Sequence, residues 1–158
     1  RGNYVSTHCF VDANHAVDKS TRKSQTGILM FLNKAPVNWH SKKQNGVEAS
    51  TFGSEFIALK NGLELVVSLR YKVRMFGIPI EGATNVFCDN KAVYKNASTP
   101  ESVLHKKHHS ISYHYCRSLV AMGVGRLAKE DTRTNLADLF TKCLPASKRK
   151  ELMDYFMY

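Results

Sequence analysis

Acidic residues are scarce in this chain of 158 residues, which holds 13 aspartates and glutamates against 23 lysines and arginines. The resulting formal net charge of +10 favours a polyanionic partner, and nucleic acid before a membrane surface. No apolar run approaches the roughly 20 residues of a membrane-spanning helix, and no signal-peptide pattern opens the chain. We therefore expect a nucleic-acid partner and no membrane partner.

Cysteines are also few, and the four of them are widely spaced: Cys9, Cys88, Cys116 and Cys143. They lie mostly in apolar segments, which predicts buried free thiols of a reducing compartment and no disulfide partner. The first residue is Arg rather than Met, so we expect a piece of a longer polypeptide. The length predicts one domain over residues 1–158, with a core over about 5–145 and a tail helix over about 147–158.

The spacing of apolar residues predicts an α/β (α+β) fold with a mixed sheet and flanking helices. Short apolar or alternating runs over 8–12, 27–32 and 37–42 are joined by turns and predict an antiparallel meander, with the third strand at an edge. A period of three to four residues predicts a helix from about 50 to Met75. Trp39 and the phenylalanines are expected to pack in the core or on a sheet face.

The second half of the chain alternates between strands and helices. A strand ends at Asp89 and a helix follows it; a further helix carries an apolar stripe that includes Ile111, Tyr115 and Leu119. A last short strand spans 124–128, and Thr134 or Asn135 caps a helix over 136–140. The parallel βαβ connections of this half complete the predicted mixed sheet.

The run Val86-Phe87-Cys88 ends at Asp89, and helix-forming residues start at Asn90. A carboxylate is thereby placed at the C-terminal end of an inner strand, which is the edge where ligands bind in open α/β sheets. The first predicted strand ends in the same way, at Asp12. Taken alone, Asp89 could equally be a helix cap and Asp12 the head of a turn.

Four carboxylates remain after the acids of turns and exposed helix faces are set aside: Asp12, Glu55, Asp89 and Asp138. Glu55 could extend from the edge of its helix stripe, and Asp138 could complement a helix dipole. If the first and fourth strands are neighbours, however, all four meet at one rim, where their mutual repulsion calls for a cation. Oxygen ligands without His or Cys suit two Mg²⁺ ions, with Mn²⁺ as substitute, and phosphodiester cleavage is the usual use of such a pair.

Seven stretches run nearly end to end along the chain: FVDA (10–13), TRKSQTG (21–27), WHSKKQ (39–44), EAST (48–51), SEFIAL (54–59), FCDN (87–90) and NLADLFTK (135–142). Taken together, they resemble the ribonuclease H domain of copia-type long-terminal-repeat retrotransposon polyproteins. Each is weak alone, but their order and spacing are specific. One departure is that Asn14 and His15 stand where this family often has Asp and Trp.

The resemblance implies a ribonuclease H-like fold with a five-stranded sheet and two-metal hydrolysis of the RNA strand of RNA/DNA hybrids, giving 5′-phosphate products. It implies Asp12, Glu55, Asp89 and Asp138 as both the catalytic and the metal-binding set. It also implies a reverse transcriptase domain in the same polyprotein as partner, and a location in the cytoplasm within a virus-like particle.

Candidate contacts to the hybrid lie near the metals and further out. The nearer set is Asn14, Ser24, Thr51, Ser54 and Asn90; the outer lysines are Lys42, Lys43, Lys106 and Lys107. Each lysine could equally belong to a solvated face. Two other functions stay open: a weak or inactive nucleic-acid-binding or structural domain of a reverse transcriptase, and a two-metal nuclease that acts on duplex DNA.

Overall fold

A five-stranded sheet with the order β3-β2-β1-β4-β5 forms the centre of the fold. A computed structural model describes residues 4–102 and 110–157 of the chain. The strands are β1 (Thr7–Asn14), β2 (Gln25–Leu32), β3 (Ala35–Lys43), β4 (Thr84–Cys88) and β5 (Gly125–Lys129). The first three pair antiparallel, whereas β4 lies parallel to β1 and β5 parallel to β4. The predicted mixed sheet, with its meander and its edge strand β3, is confirmed.

Helices pack on both faces of this sheet. They are α1 (Thr51–Met75), α2 (Lys91–Ser98), α3 (Ser110–Ala121), a 3-10 helix (Leu136–Phe140) and α4 (Ala146–Met153). Ser50 caps α1, since its hydroxyl accepts a hydrogen bond from the Gly53 amide at 3.3 Å. The helix predicted after Asn135 is a single 3-10 segment, and the tail helix ends at Met153 rather than continuing to residue 158.

Two apolar layers hold the helices to the sheet. On one face α1 covers a buried cluster that includes Val11, Ile28 and Leu63. Gly62 allows this close approach, because a Cβ there would lie 2.5 Å from Cγ1 of Val11. On the other face, Leu29 and Phe31 pack against residues of the 3-10 helix and α4. The sheet is thereby fixed between α1 and the C-terminal elements, which matters for the site at its edge.

Two packing predictions are wrong in part: the one for the large aromatic residues and the one for the stripe on α3. Trp39 has 64% of its surface exposed, because β3 is the edge strand and most of its side chains face solvent. On α3, Leu119 of the predicted stripe is buried, but Ile111 is 83% exposed, and Tyr113 and Cys116 are buried instead. The helix is therefore rotated relative to the predicted stripe, and Tyr113 packs against Phe56 of α1 with ring centroids 6.1 Å apart.

All four cysteines are free thiols, and Cys143 is exposed while the other three are buried. Burial raises the pKa of the Cys9, Cys88 and Cys116 thiols to about 12, so these residues behave as apolar core groups. None of the helices in residues 4–102 and 110–157 combines the length and apolarity needed to cross a bilayer.

Candidate active site

Two aspartates lie side by side at the carboxyl edge of the sheet. In the parallel pair of β1 and β4, Phe10 lies opposite Phe87. Asp12 and Asp89 each follow these partners by two residues, so both carboxylates reach the same edge on neighbouring strands. This is the position where open α/β sheets bind ligands.

Helix α1 brings a third carboxylate to this edge. Glu55 lies in the first two turns of α1, is only 7% exposed, and accepts a hydrogen bond from the backbone N–H of Ala13. One carboxylate oxygen each from Asp12, Glu55 and Asp89 lies within 4.8 Å of the other two. Three carboxylates this close repel one another unless a cation or protons intervene.

Asp138 reaches the same rim from the 3-10 helix, which Asn135 attaches to the sheet. The buried Asn135 donates from Nδ2 to the Val11 carbonyl at 3.1 Å, and its Oδ1 accepts from the Ala137 amide at 3.1 Å. Asp138 is connected to the other acids through Lys142, whose Nζ lies 2.7 Å from Oδ1 of Asp138 and 3.5 Å from Oδ2 of Asp12. Asp138 is thus next to Asp12, Glu55 and Asp89, but it does not belong to the group whose oxygens all lie within 4.8 Å of one another.

Asp12 has one oxygen engaged and the other free. The buried hydroxyl of Thr141 donates to Oδ2 of Asp12, the same oxygen that Lys142 approaches. Oδ1 of Asp12 is buried and has no hydrogen-bond partner in the described part of the chain. A buried carboxylate oxygen without a partner is costly in the absence of a ligand.

Burial and mutual repulsion raise the pKa of three of these acids. Burial, with added repulsion from Asp12 and Asp89, raises the pKa of Glu55 to about 9. Burial also raises the pKa of Asp138, to about 6, although the Lys142 hydrogen bond acts in the opposite direction. Asp89 is shifted upwards as well, by burial and by Asp12, so its pKa lies above its usual range.

Lys142 is the cation that partly offsets these charges. Burial acts to lower the pKa of its ammonium group, but the hydrogen bond to Asp138 and the charges of Asp12 and Asp89 outweigh it, and the pKa is raised. One ammonium group leaves the site with a surplus of acids, and the cluster as a whole favours a further cation.

The donor set fits a hard divalent cation. Asp12, Glu55 and Asp89 offer carboxylate oxygens only, which suits Mg²⁺ or Mn²⁺ rather than Zn²⁺. The unpartnered Oδ1 of Asp12 supports this fit, because a cation would supply the interaction that the described residues do not.

Known proteins resemble this chain in sequence and in fold. The Retrovirus-related Pol polyproteins from transposons RE1 and RE2 of Arabidopsis thaliana are each 31% identical to it, over 144 and 147 residues. These alignments cover 91% of this chain and 10% of each relative, so the chain spans about a tenth of the length of the curated relatives it matches. No established family profile matches the chain.

Solved structures give the fold. The N-terminal RNase H domain of Rv2228c from Mycobacterium tuberculosis superposes with a TM-score of 0.64 at 16% identity, covering 95% of this chain and 94% of that one. RNase H1 of Halobacterium salinarum NRC-1 gives 0.62 at 16%, covering 94% and 98%. LC11-RNase H1, solved in complex with RNA/DNA hybrid, gives 0.64 at 13%, covering 86% and 94%. The chain is a ribonuclease H-fold domain of the retrotransposon Pol type.

The predicted nucleic-acid contacts of this Pol-type domain fall into three groups. Ser24 and Ser54 have no exposed surface, and their hydroxyls bond to the Ala16 amide and the Thr51 carbonyl. A fully buried hydroxyl cannot contact a hybrid, and these two predictions are wrong. Lys106 and Lys107 lie outside the described residues.

The remaining candidates are accessible at or near the acidic rim. Thr51 is exposed at the start of α1, while Asn14 is partly exposed and donates to the Thr141 carbonyl at 3.0 Å. Asn90 is partly exposed, and its Oδ1 caps α2. Lys42 and Lys43 are exposed at the end of β3, and Lys43 pairs with Asp18.

Residue patterns alone missed the roles of Thr141 and Lys142. Both lie within the stretch 135–142 that carries the resemblance, but the residue pattern assigns neither of them to the site. The spacing of Lys142, four residues after Asp138, is one at which side chains pair on a helix, and it was the available signal. Nothing in the local pattern indicates that Thr141 reaches Asp12, since the two residues are 129 positions apart.

Proposed function

We propose that this domain is a metal-dependent ribonuclease that hydrolyses the RNA strand of RNA/DNA hybrids and leaves 5′-phosphate products. The observation that carries the proposal is the trio of carboxylates, Asp12, Glu55 and Asp89, within 4.8 Å of one another. Their place at the carboxyl edge of β1 and β4 and the unpartnered oxygen of Asp12 support a site built to hold cations.

The four acids would together hold two Mg²⁺ ions, for which Mn²⁺ could substitute. Asp12 and Asp89, at the carboxyl edge of β1 and β4, would serve both ions, and Glu55 from α1 and Asp138 from the 3-10 helix would serve one each. When bound, such ions offset the charge of the phosphodiester and assist its in-line hydrolysis. Thr141 would hold the Asp12 carboxylate in position, and Lys142 would offset part of the charge of Asp12 and Asp138 when no ion is bound.

Charge and shape support a hybrid as the substrate. The chain carries a net charge of +10 although its site is acidic, so the excess of basic residues lies elsewhere. The surrounding surface can therefore attract a polyanion that the carboxylates alone would repel. LC11-RNase H1 and the foamy viral protease-reverse transcriptase, two of the structural neighbours, were both solved with RNA/DNA hybrid. Asn14, Thr51 and Asn90 would meet 2′-hydroxyls and sugars, and Lys42 and Lys43 would meet phosphates; all five have exposed surface.

The relatives also indicate the setting. Because this chain corresponds to a tenth of Pol polyproteins, the domain would act beside a reverse transcriptase domain of the same polyprotein, removing RNA after it has been copied. We place this activity in the cytoplasm, within a virus-like particle. Residues 1–158 would form one such domain.

Cleavage of a labelled RNA/DNA hybrid tests the proposal. The chain is assayed with Mg²⁺, with Mn²⁺ and with chelator, beside Asp89→Asn and the control Asp131→Asn. Asp131 is an exposed aspartate that pairs with Arg133 in its own loop, so its substitution removes an acid that is not among the proposed ligands. We expect metal-dependent cutting of the RNA strand that Asp89→Asn abolishes and Asp131→Asn retains.

The alternatives predict different results. Cleavage of duplex DNA in preference to the hybrid would indicate a different two-metal nuclease on this fold. Hybrid binding without cleavage, and with no metal binding above background, would indicate a binding or structural domain. The first result contradicts the proposed substrate, and the second contradicts the proposed chemistry.

A further inference from the structure

The side chain of Gln44 connects the sheet to the first turn of α1. Gln44 follows the last residue of β3 and is only 5% exposed. Its Nε2 donates to Oγ1 of Thr26 on β2 at 3.0 Å and to the backbone carbonyl of Ser54 on α1 at 2.9 Å. The backbone N–H of Gln44 donates to the Ser24 carbonyl at 2.8 Å, and this bond fixes the backbone from which the side chain extends.

The orientation of this amide follows from its partners. A carbonyl can only accept, so the group that faces the Ser54 oxygen must be the NH₂ of Gln44. Oε1 of Gln44 then points elsewhere and has no hydrogen-bond partner in the described part of the chain. A buried oxygen without a partner is unfavourable, so this orientation of the Gln44 side chain gains two hydrogen bonds from Nε2 and loses some stability at Oε1.

These bonds close a ring of contacts around Glu55. Ser54 immediately precedes Glu55, and the Glu55 carboxylate accepts from the backbone N–H of Ala13 on β1. Ala13 is in turn the register partner of Thr26, the other residue that Gln44 contacts. Gln44 is therefore a hydrogen-bonded link between β2 and the first turn of α1, beside the edge of β1.

We propose that Gln44 is a positioning residue for Glu55. Gln44 holds the first turn of α1 at the distance where the Glu55 carboxylate completes the cation site with Asp12 and Asp89. The inference rests on the proposed function, in which Glu55 is a metal ligand. Gln44 itself touches neither the metal nor the substrate. Residues that orient ligands from behind in this way commonly change metal affinity or activity by about 10- to 100-fold when they are replaced.

The structure offers a matched pair of variants for the test. Gln44→Met keeps the length and approximate volume of the side chain but removes both donated hydrogen bonds. Gln25→Met makes the same change at a glutamine whose Nε2 donates to Oγ of Ser41 at 2.9 Å. The Ser41 hydroxyl in turn donates to the Phe140 carbonyl at 2.6 Å, so this bond joins β2 to β3 and the 3-10 helix but does not reach α1. The two variants therefore separate loss of a sheet bond from loss of the link to Glu55.

Three readouts are compared at a temperature well below the melting point of each variant. They are Mn²⁺ binding by electron paramagnetic resonance, kcat and KM on the hybrid, and hydrogen exchange of residues 51–58 without metal. For Gln44→Met we expect faster exchange of these residues, and affinity and kcat lower by about 10- to 100-fold. KM should stay within about twofold, because a group that acts only through a metal ligand does not bind substrate. Gln25→Met should match the parent chain.

Outcomes that contradict the inference are distinct from those that contradict the proposed function. Unchanged exchange of residues 51–58, or unchanged Mn²⁺ affinity with only a lower melting temperature, would reduce Gln44 to a stabilising core residue. A parent chain that binds Mn²⁺ but does not cut hybrid would contradict the proposed function. The positioning role of Gln44 would then still be tested by Mn²⁺ affinity and by hydrogen exchange of residues 51–58. A parent chain that binds no Mn²⁺ would overturn both.

Discussion

Lys142 lies one turn beyond Asp138, with Nζ 2.7 Å from Oδ1 of that aspartate and 3.5 Å from Oδ2 of Asp12. An ammonium group thus already occupies one side of the acidic cluster. Because it carries positive charge next to the proposed ligands, it stabilises the cluster without metal and repels an incoming divalent ion.

Lys142→Met should therefore change stability and metal affinity in opposite directions. Without metal, loss of a hydrogen-bonded charge should lower the free energy of unfolding by about 1–2 kcal/mol. In the same variant Mg²⁺ should bind more tightly, since a neighbouring positive charge has gone. Urea unfolding in chelator and calorimetric titration with Mg²⁺ measure the two effects.

Lys148→Met provides the control. Lys148 also forms an ion pair, 2.8 Å from Glu151, but on α4 and within one helix face. Such an exposed pair contributes about 0–1 kcal/mol, and its loss should leave metal affinity unchanged. Weaker Mg²⁺ binding by Lys142→Met would show instead that Lys142 supports the site by orienting Asp138.

Thr141→Val should loosen the other side of the site. Valine matches threonine in shape but cannot donate to Oδ2 of Asp12, so the Asp12 carboxylate can rotate away from its position. We expect metal affinity to fall by about tenfold, in the range for groups that orient metal ligands. Mn²⁺ titration of the variant measures this effect.

Thr141→Ser separates the hydroxyl from the methyl group. Serine keeps the donor but loses the methyl that approaches Gly27, where an added Cβ would lie 2.6 Å from Cγ2 of Thr141. Metal affinity close to that of the parent chain is expected for Ser but not for Val. Equal losses in both variants would assign the effect to packing rather than to the hydrogen bond.

The parts of the site that residue patterns anticipate are those that follow from sheet geometry. Asp12 and Asp89 each end an apolar run, and carboxyl ends of adjacent parallel strands meet at one edge. Glu55 could be selected because it borders the apolar stripe of α1 instead of opposing it. These inferences need only the spacing of apolar residues along the chain and the rule that adjacent parallel strands end at the same edge of a sheet.

Contacts between distant segments could not be anticipated in this way. The bond from Thr141 to Asp12 and the attachment of Asn135 to Val11 depend on how the 3-10 helix docks on β1, and no local pattern encodes that docking. The exposure of individual side chains could not be predicted for a similar reason. Ser24 and Ser54 are polar residues in loop-like or helix-start sequence, yet the fold encloses both completely.

The raised pKa of Glu55 predicts how the metal-free protein responds to pH. Burial and the neighbouring aspartates raise the pKa of Glu55 to about 9, above that of an unfolded chain. The folded state thus favours the protonated form, and this contribution is complete below about pH 4.5 and is lost as pH rises through 9. In chelator, the free energy of unfolding should fall by at least about 1–2 kcal/mol from pH 5 to 8.

Glu55→Gln gives the matched comparison. Glutamine cannot ionise, so most of this decline should disappear, and at pH 8 the variant should be more stable than the parent chain in chelator. Mg²⁺ should reduce the decline in the parent chain, because the ion takes the place of the proton, and it should have little effect on the variant. Parallel pH profiles for both proteins would contradict the assignment to Glu55.

Gly27→Ala should separate the 3-10 helix from the sheet. A Cβ at Gly27 would lie 2.6 Å from Cγ2 of Thr141 and 2.7 Å from the Ala137 carbonyl oxygen, so the segment that carries Asp138 must move outward. We expect a loss of about 1–3 kcal/mol of unfolding free energy, together with weaker Mn²⁺ binding. Gly46→Ala is the control, since an added Cβ there meets nothing within 4 Å. A Gly27→Ala variant that loses stability but binds Mn²⁺ like the parent chain would show that Asp12, Glu55 and Asp89 hold the ion without Asp138.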